Sequence, residues 1–354
     1  MSQHTVSITR PKTLQAGQPV YLGIDVGGTN VKLGLVSDDG QLLTQSTAPT
    51  PALGTPERVF EHAMEFAAEQ LNLLGCGVTL NGVGLAVPGV LDTSAMALRE
   101  VVNLPGWLDQ PLLRLLADAA HVPAMVVNDA NAAALAEHSR RGLGNHSLAL
   151  MTLGTGIGCG VVVGGHPHSG DHGCAGELGH IAVRFGEDAL PCTCGSRGHL
   201  ESYAGSGGVI ARLRAAYASQ PQLAVPECLS SQNVTPREIA EQAAAGNAIC
   251  QAVIDETASY VGAGIGMLAQ VVDPAVVLLG GAMTFGGPGT PTGTRFMKLI
   301  RQTVRDTTLA QVGKHLIVDF ASLGNDAGIL GAALVAKQAA ADASIQIANH
   351  SDRL

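Results

Sequence analysis

Two histidines and two cysteines lie close together in the sequence at spacings that suit a metal ion. His180 precedes Cys192 by twelve residues, and Cys194 and His199 follow at gaps of two and five. Two cysteines and two histidines can enclose Zn²⁺ tetrahedrally, and such a closed site is structural because no position is left for water. The alternative is a free Cys-x-Cys pair in a loop with two surface histidines. We expect a structural Zn²⁺ site.

Two glycine-threonine turns interrupt apolar segments. They are Gly27-Gly28-Thr29 and Gly154-Thr155-Gly156. Such a turn presents several N–H groups to one anion, with no Cβ in the way and a hydroxyl as a further donor. It is also an ordinary hairpin turn. Taken alone, such a turn is more often only structural, but Asp25 at the end of the first apolar run and the recurrence of the pattern strengthen the case for phosphate binding. The glycine spacing from residue 154 does not fit the dinucleotide fingerprint, and no Gly-Lys-Ser/Thr phosphate loop occurs.

An acid stands where a predicted strand turns into a predicted helix, in the pair Asn128-Asp129. A carboxylate at this place can accept a proton from a hydroxyl group. It can equally cap the helix that starts at Ala130. Spacing alone favours the cap, and the two roles are compatible for the pair.

Alternating strands and helices must position these residues. Apolar runs around each glycine-threonine turn predict one β-hairpin in each half of the chain, which indicates a duplicated architecture. The predicted strands are 20–24, 31–36, 83–87, 124–127, 148–153, 157–163, 275–279 and 316–320. The predicted helices are 57–74, 111–120, 130–138, 235–246, 248–270, 295–306 and 327–341, with a loop at 286–293. Strands alternating with helices indicate an α/β fold.

Composition narrows the class of protein. The chain has 354 residues, a length that fits two domains or one large α/β unit, and we expect a cleft between lobes. Its 46% hydrophobic and 14% charged residues exclude intrinsic disorder. No apolar run is long enough to span a bilayer. The net charge of −9, without clustered Lys and Arg, argues against nucleic-acid binding. An odd number of cysteines, 7, argues against a disulfide framework and favours the cytoplasm. Residues 1–20 are predicted to be a flexible tail.

Together, four motifs resemble the ROK family, which comprises repressors, open reading frames and sugar kinases of the actin-like ATPase superfamily. The motifs are Asp25-Val26-Gly27-Gly28-Thr29-Asn30, Asn128-Asp129-Ala130-Asn131-Ala132-Ala133, Leu153-Gly154-Thr155-Gly156-Ile157-Gly158 and Gly176-Glu177-Leu178-Gly179-His180. They occur in family order. The resemblance runs from about Tyr21 to Lys337, nearly the whole chain.

The fold implied by this resemblance is α/β: a two-domain actin-like ATPase (ribonuclease H-like) fold with an interdomain cleft. We expect a small domain at 21–130, joined by the helix 327–341, and a large domain at 131–326 that carries the zinc loop 180–199. A homodimer is also implied by the resemblance.

Site residues follow from the resemblance too. Asp129 corresponds to the catalytic base, and the sugar would be bound by Pro88, Gly89, Asn103, Asn128, Asp129, Glu177, His180 and Glu201. The nucleotide would be bound by Asp25, Gly27, Gly28, Thr29, Gly154, Thr155, Gly156, Gly280 and Gly281, with Mg²⁺ at Asp25. The glycines of Gly324-Asn325-Asp326-Ala327-Gly328, before the last helix, would allow close approach of the base or ribose. Lys32 could be a charge partner for the phosphates, but a surface lysine that points outward is favoured. His199 stands where the family usually has Cys, so the fourth metal ligand departs from the pattern.

The activity implied is ATP-dependent phosphorylation of a hexose, glucose to glucose 6-phosphate. Alternatives are kinases for N-acetylglucosamine, N-acetylmannosamine or fructose, polyphosphate as donor, or a sugar-responsive regulator without catalysis. Family repressors carry an N-terminal helix-turn-helix domain. The stretch before Tyr21 is too short and insufficiently basic for one.

Overall fold

The computed structural model describes residues 5–8, 17–75, 77–101 and 103–351. Its strands are β1 (Thr5–Ile8), β2 (Pro19–Val26), β3 (Asn30–Ser37), β4 (Leu42–Pro49), β5 (Thr79–Val87), β6 (Val90–Asp92), β7 (Ala97–Glu100), β8 (Ala124–Asn128), β9 (Leu148–Leu153), β10 (Ile157–Val163), β11 (His166–Pro167), β12 (Val276–Gly280) and β13 (Ile317–Phe320). Its α-helices are α1 (Thr50–Leu53), α2 (Pro56–Leu74), α3 (Leu112–Ala120), α4 (Asp129–Arg140), α5 (Leu200–Ala204), α6 (Ser206–Ala218), α7 (Glu227–Ser230), α8 (Pro236–Ala244), α9 (Ala248–Val272), α10 (Pro291–Thr307), α11 (Ala310–His315) and α12 (Ala327–Ser351).

Two sheets of matching design form the framework. The first has the order β1-β4-β3-β2-β5-β8, and the second has the order β11-β10-β9-β12-β13. In both, a central strand pairs antiparallel with the next strand in sequence and parallel with a strand reached through a helical connection. Both predicted hairpins are confirmed, and the shared strand order agrees with the expected duplication.

Several elements differ from the predictions. Helix α10 begins at Pro291, inside the predicted loop 286–293, because Thr290 caps it and proline suits the first helical turn. Strand β4 and helix α6 were not predicted. Strand β1 pairs with β4 within the stretch predicted to be a flexible tail, because β4 presents a free edge to it.

Helix α12 packs against β2, β5 and β8 of the first sheet and crosses α4. The approach is close enough that glycine is required on the sheet. A Cβ at Gly84 would overlap the carbonyl oxygen of Ala332, and one at Gly23 would overlap that of Ile329. A Cβ at Gly331 would likewise overlap the carbonyl oxygen of Ala132 on α4. Backbone therefore packs directly against backbone where the two helices and the first sheet meet.

Separate apolar cores lie beside the sheets. One contains β2, β5 and α2 with the fully buried Trp107, and another contains β9, β12, α9 and α10 with the fully buried Phe296. Ala132 and Leu135 of α4 pack in a further cluster with β9 and β12 residues. In the described part of the chain, no helix combines the length and apolar character needed to cross a bilayer.

We expect Gly84→Ala to lower the free energy of unfolding by at least about 1–3 kcal/mol, because the added methyl group must separate β5 from α12. Gly207→Ala is the matched control, because Gly207 lies on α6 with open space around it. That variant should be neutral or more stable by up to about 1 kcal/mol. Urea unfolding midpoints measure both effects, and equal stability of Gly84→Ala and wild type would contradict the close packing.

Candidate active site

A cavity of about 640 Å³ opens between the two sheets. Its wall draws on both halves of the chain and on the segment before α12. The polar and glycine residues that line it include Asp25, Lys32, Gly89, Asn128, Asp129, Asn131, Gly156, Glu177, His180, Glu201, Gly324, Asn325 and Gly328. It therefore brings together Asp25, Asp129 and the residues around His180 that the sequence placed far apart.

Asn128 is the residue that caps α4. Its Oδ1 accepts from the backbone N–H groups of Ala130 at 2.9 Å and Asn131 at 3.1 Å. Its Nδ2 donates to the carbonyl oxygen of Gly89 at 3.1 Å, which leaves one N–H of the amide for a ligand. The capping role is thus filled by Asn128, and Asp129 is the first residue of the helix itself.

The pKa of the Asp129 carboxyl lies close to neutral pH. Burial raises its pKa to about 6, with the carboxylates of Asp25 and Glu177 adding to the rise. The backbone N–H of Ala130, 2.8 Å from Oδ1, works in the opposite direction. A carboxylate with such a pKa takes a proton more readily than an ordinary aspartate, which suits a general base.

Asp25 and Lys32 face each other across the first hairpin. They are direct partners in the β2–β3 register, and Lys32 Nζ lies 3.2 Å from Asp25 Oδ2. Lys32 also donates to the carbonyl oxygen of Asn325 at 3.3 Å. Burial raises the pKa of Asp25, and Lys32 opposes that rise. The prediction that Lys32 points outward was wrong, since the pairing register places it beside Asp25 on the cavity wall.

The two glycine-threonine turns close their hairpins as predicted. Gly27 N–H donates to Asn30 at 2.9 Å, and Gly154 N–H donates to Gly156 at 3.0 Å. Among the residues of these turns, Gly156 lines the cavity. The turns hold equivalent positions in the two sheets, each between a central strand and its antiparallel neighbour. Thr29 and Thr155 are exposed, so their hydroxyl groups are accessible to a ligand.

Glu201 joins the second hairpin to the cysteine-bearing loop. Its Oε2 accepts from Ile157 N–H at 2.9 Å, directly after Gly156, and its Oε1 accepts from the Thr193 hydroxyl at 3.3 Å. A Cβ at Gly156 would overlap the Glu201 carboxylate. One side chain therefore couples the loop of Cys192 and Cys194 to the end of the turn.

Eight predicted ligand-binding residues lie outside this cavity wall: five of the two turns (Gly27, Gly28, Thr29, Gly154 and Thr155), and Asn103, Gly280 and Gly281. Asn103 is exposed, has a left-handed backbone (φ +64°) and lies against Gly28. Gly280 ends β12 and Gly281 follows it, where a Cβ at Gly281 would overlap the carbonyl oxygen of Leu153. Residues 282–286 and one face of α8 line a second cavity of about 400 Å³.

The predicted metal ligands converge. One donor atom from each of His180, Cys192, Cys194 and His199 lies within 4.8 Å of all the others. His180 Nδ1 is 3.7 Å from Cys192 Sγ, and His199 Nδ1 is 3.2 Å from Cys194 Sγ. Tetrahedral Zn²⁺ with bonds of about 2.0–2.3 Å separates its ligand atoms by about 3.3–3.8 Å. The donor set and its spacing fit a closed zinc site that includes His199.

His180 links this cluster to the cavity. While its Nδ1 faces the sulfur of Cys192, its Nε2 lies 3.9 Å from Glu177 Oε2. Backbone N–H of Ser196 is the leading cause that lowers the pKa of the Cys194 thiol, which favours the thiolate needed by a metal.

Lys32 is the residue of the cavity wall that was missed. It could have been found by counting the hairpin register outward from the turn, which pairs it with Asp25. The segment 324–328 was expected near the nucleotide, but its contacts with the first hairpin were not predicted. Asn325 lines the cavity, and a Cβ at Gly328 would overlap the Asp25 carboxylate. No motif links residues so distant in the chain.

The chain is similar to known proteins over most of its length. The model of the ROK family matches residues 21–339. The glucokinase of Halalkalibacterium halodurans is 32% identical over 322 residues, which cover 90% of this chain and 95% of that protein. The ROK hexokinase of Thermus thermophilus is 34% identical, with a TM-score of 0.74 over 91% of this chain and 99% of that one.

A third relative was solved with ligands bound. The ROK family glucokinase of Streptomyces griseus, in complex with glucose and AMPPNP, is 28% identical, with a TM-score of 0.68 over 90% of this chain and 99% of that one. The predicted family and the two-domain actin-like α/β fold with its cleft are confirmed. Because the family model spans nearly the whole chain and the cavity residues carry its motifs, the chain belongs to the ROK family.

Proposed function

We propose that this chain is a sugar kinase that transfers the γ-phosphoryl group of ATP to a hexose, glucose at O6, with Asp129 as general base. The observation that carries the proposal is the Asp129 carboxyl, free of the capping role, with a pKa raised to about 6 in the cavity between the sheets. Relatives named glucokinase and a relative solved with glucose and an ATP analogue support it.

The sugar occupies the part of the cavity around Asp129, Glu177, His180 and Glu201 in this proposal. These side chains present acceptors and one imidazole to hydroxyl groups, and a missing hydroxyl would leave a buried group unpaired. Asp129 accepts the proton of the attacking hydroxyl as the bond to phosphorus forms. Asn128 and Gly89 are fixed by their mutual hydrogen bond, so they form a rigid side of the pocket.

The phosphates lie toward Asp25, Lys32 and the two glycine-threonine turns. Mg²⁺, when bound through Asp25, would neutralise phosphate charge. Lys32 contributes the ammonium group nearest to Asp25 and can meet phosphate oxygens as a point charge. The backbone N–H groups of the turns add donors that bring no side-chain bulk.

The adenosine side of ATP is assigned to the second cavity, of about 400 Å³, beside Gly280 and Gly281. Its wall includes Met283, Phe285 and Ala240, which offer apolar contact to a flat base, and the exposed Arg237–Glu241 ion pair lies at its edge. This placement agrees with the role that the resemblance gives to Gly280 and Gly281.

Zn²⁺ held by His180, Cys192, Cys194 and His199 would serve structure rather than chemistry. With His180 Nδ1 on the metal, the ring carries its proton on Nε2, which faces Glu177 and the cavity. The imidazole then donates to the sugar in a fixed tautomer. The metal loop also carries Thr193, whose hydroxyl holds Glu201.

A panel of hexoses and 2-acetamido hexoses tests the reaction, with kcat/KM measured through ADP release. Glucose should give the highest value. Asp129→Asn should lower kcat by about 10²–10⁴-fold with little change in sugar affinity, because it removes the proton acceptor and keeps the shape. Asp118→Asn, an exposed acid on α3, should behave as wild type. An unchanged kcat in Asp129→Asn would refute its role as base, and no ADP from any sugar would refute the kinase.

The pH profile follows from the raised pKa of Asp129. A base must be ionised, so activity is full well above pH 6 and is lost as pH falls through the pKa of about 6. In the acid range, kcat/KM should drop about tenfold for each unit of pH. An ordinary aspartate would keep the profile flat to about pH 4. A flat profile between pH 5 and 7 (about one unit either side of this pKa) would contradict the assignment.

Metal analysis tests the zinc site. Purified protein should contain about one Zn²⁺ per chain, and Cys194→Ala should lose it. That variant should raise the sugar KM and leave the ATP KM unchanged, because the metal loop holds His180 and Glu201 at the sugar end. Cys228→Ser, an exposed cysteine away from the cluster, is the control. His199→Cys should keep the metal. An unchanged sugar KM in zinc-free protein would contradict the coupling.

A further inference from the structure

Glu137 is a fully buried acid that the proposed reaction does not use. It lies on α4, two helical turns after Asp129, and its side chain is 0% exposed. Its Oε1 accepts from the backbone N–H groups of Ser322 at 2.5 Å and Leu323 at 2.7 Å. Its Oε2 accepts from the Ser322 hydroxyl at 3.0 Å. One carboxylate thus fixes a segment 185 residues further along the chain.

This segment leads directly into the phosphate end of the cavity. Ser322 and Leu323 follow β13, and the next residues form the short 3₁₀ turn Gly324–Asp326. Gly324 and Asn325 line the cavity, and the Asn325 carbonyl oxygen accepts from Lys32. We call residues 322–326 the wall segment. Lys32 therefore has two partners on the cavity wall, the Asn325 carbonyl oxygen of this segment and the Asp25 carboxylate.

Arg141, the residue that follows α4, supports the same segment. Arg141 Nη2 donates to the carbonyl oxygen of Phe320 at 2.9 Å, just before the wall segment. Arg141 Nε lies 3.8 Å from Glu137 Oε2, so the buried carboxylate also has a cation nearby. The last turn of α4 and the residue after it therefore hold the approach to the wall segment at two points.

Burial of a carboxylate is unfavourable unless donors replace the water that it loses. Three donors surround Glu137, and hydrogen bonds to a charged acceptor are short and strong. An apolar side chain would stabilise a core at least as well, but it could not hold two consecutive N–H groups in one orientation. What the carboxylate adds is therefore a fixed geometry for the wall segment.

We propose that Glu137 is a positioning residue, which sets the wall segment, and with it Lys32, at a fixed distance from Asp129. The same rigid helix carries Asp129 at its first residue and grips the wall segment at its ninth (about 12 Å along the axis at 1.5 Å per residue). The nucleotide phosphates beside Lys32 and the general base Asp129 are thereby held at a fixed separation. The inference rests on the proposed function, because it assigns the wall segment to the phosphates of ATP.

Three variants test it. Glu137→Met removes all three acceptor contacts, Ser322→Ala removes one, and Glu137→Gln keeps an oxygen for both N–H groups and offers an N–H to the Ser322 hydroxyl. The affinity for MgADP, measured by calorimetry without sugar, should weaken about tenfold in Glu137→Met and less in Ser322→Ala. Glu137→Gln should restore it to within about threefold. The KM for sugar should change little in all three.

Phe66→Leu provides the control for lost stability, since Phe66 is buried on α2, which neither lines the cavity nor adjoins the wall segment, and its replacement should leave MgADP affinity unchanged. If Glu137→Met were merely less stable and bound MgADP as wild type does, the proposal would be overturned. Equal losses of nucleotide and sugar affinity would overturn it as well. If wild type made no ADP with any sugar, the proposed reaction would fail, whereas MgADP binding would still report on Glu137.

A double-mutant cycle with Lys32→Met tests the route through Lys32. If Glu137 acts by placing the Asn325 carbonyl oxygen that holds Lys32, both substitutions remove the same contribution to MgADP binding. The loss of MgADP affinity in the double variant should then be much smaller than the product of the losses in the two single variants. Independent, multiplicative losses would contradict that route.

Discussion

The placement of α4 between the two sheets is the constraint on which the site depends. Asn131, buried on this helix, accepts from the N–H of Val161 in β10, while Asn128 at its first end donates to Gly89 after β5. A Cβ at Gly160 would overlap the carbonyl oxygen of Ala130, so β10 approaches the helix as closely as α12 does on another side. Both sheets are thus fixed to one helix, two side-chain amides and one close backbone contact joining them, so the fold sets the position of Asp129 at the start of that helix.

The electrostatics of the cavity follow from this arrangement. The carboxylates of Asp25, Asp129, Glu177 and Glu201 line this cavity. Among the described residues that line it, Lys32 is the only lysine or arginine. Crowded acids with little access to water resist ionisation, so burial raises the pKa of both Asp25 and Asp129. Such a space disfavours a bare polyanion. An anionic nucleotide is accommodated only with compensation from Lys32, backbone N–H groups and a divalent cation.

The features that local chemistry encodes were predictable from sequence. The two hairpins, the helix start at Asn128-Asp129 and the cysteine-histidine cluster all depend on residues close in the chain, whose types carry a turn, a cap or a donor set. The resemblance then supplied the expected roles of distant residues such as Glu177 and Glu201. The direction of Lys32 depends on the pairing register of its hairpin, which its residue type alone does not show. Glu137 meets Ser322 across 185 residues and Asn325 meets Lys32 across 293, and the glycines at 324 and 328 do not reveal either contact.

The contact between α12 and the first sheet also sets an order of events during protein synthesis. Strands β2, β5 and β8 are made early, but the helix that covers them, Ala327–Ser351, is made after every other element of the described chain. Until it emerges from the ribosome, the glycine-rich face of that sheet has no partner and stays open to water and to other chains. By contrast, the core between the second sheet and helices α9 and α10 contains no residue of α12. The N-terminal half of the polypeptide therefore completes its folding last, and a nascent chain stalled before residue 327 would expose an uncovered sheet to chaperones.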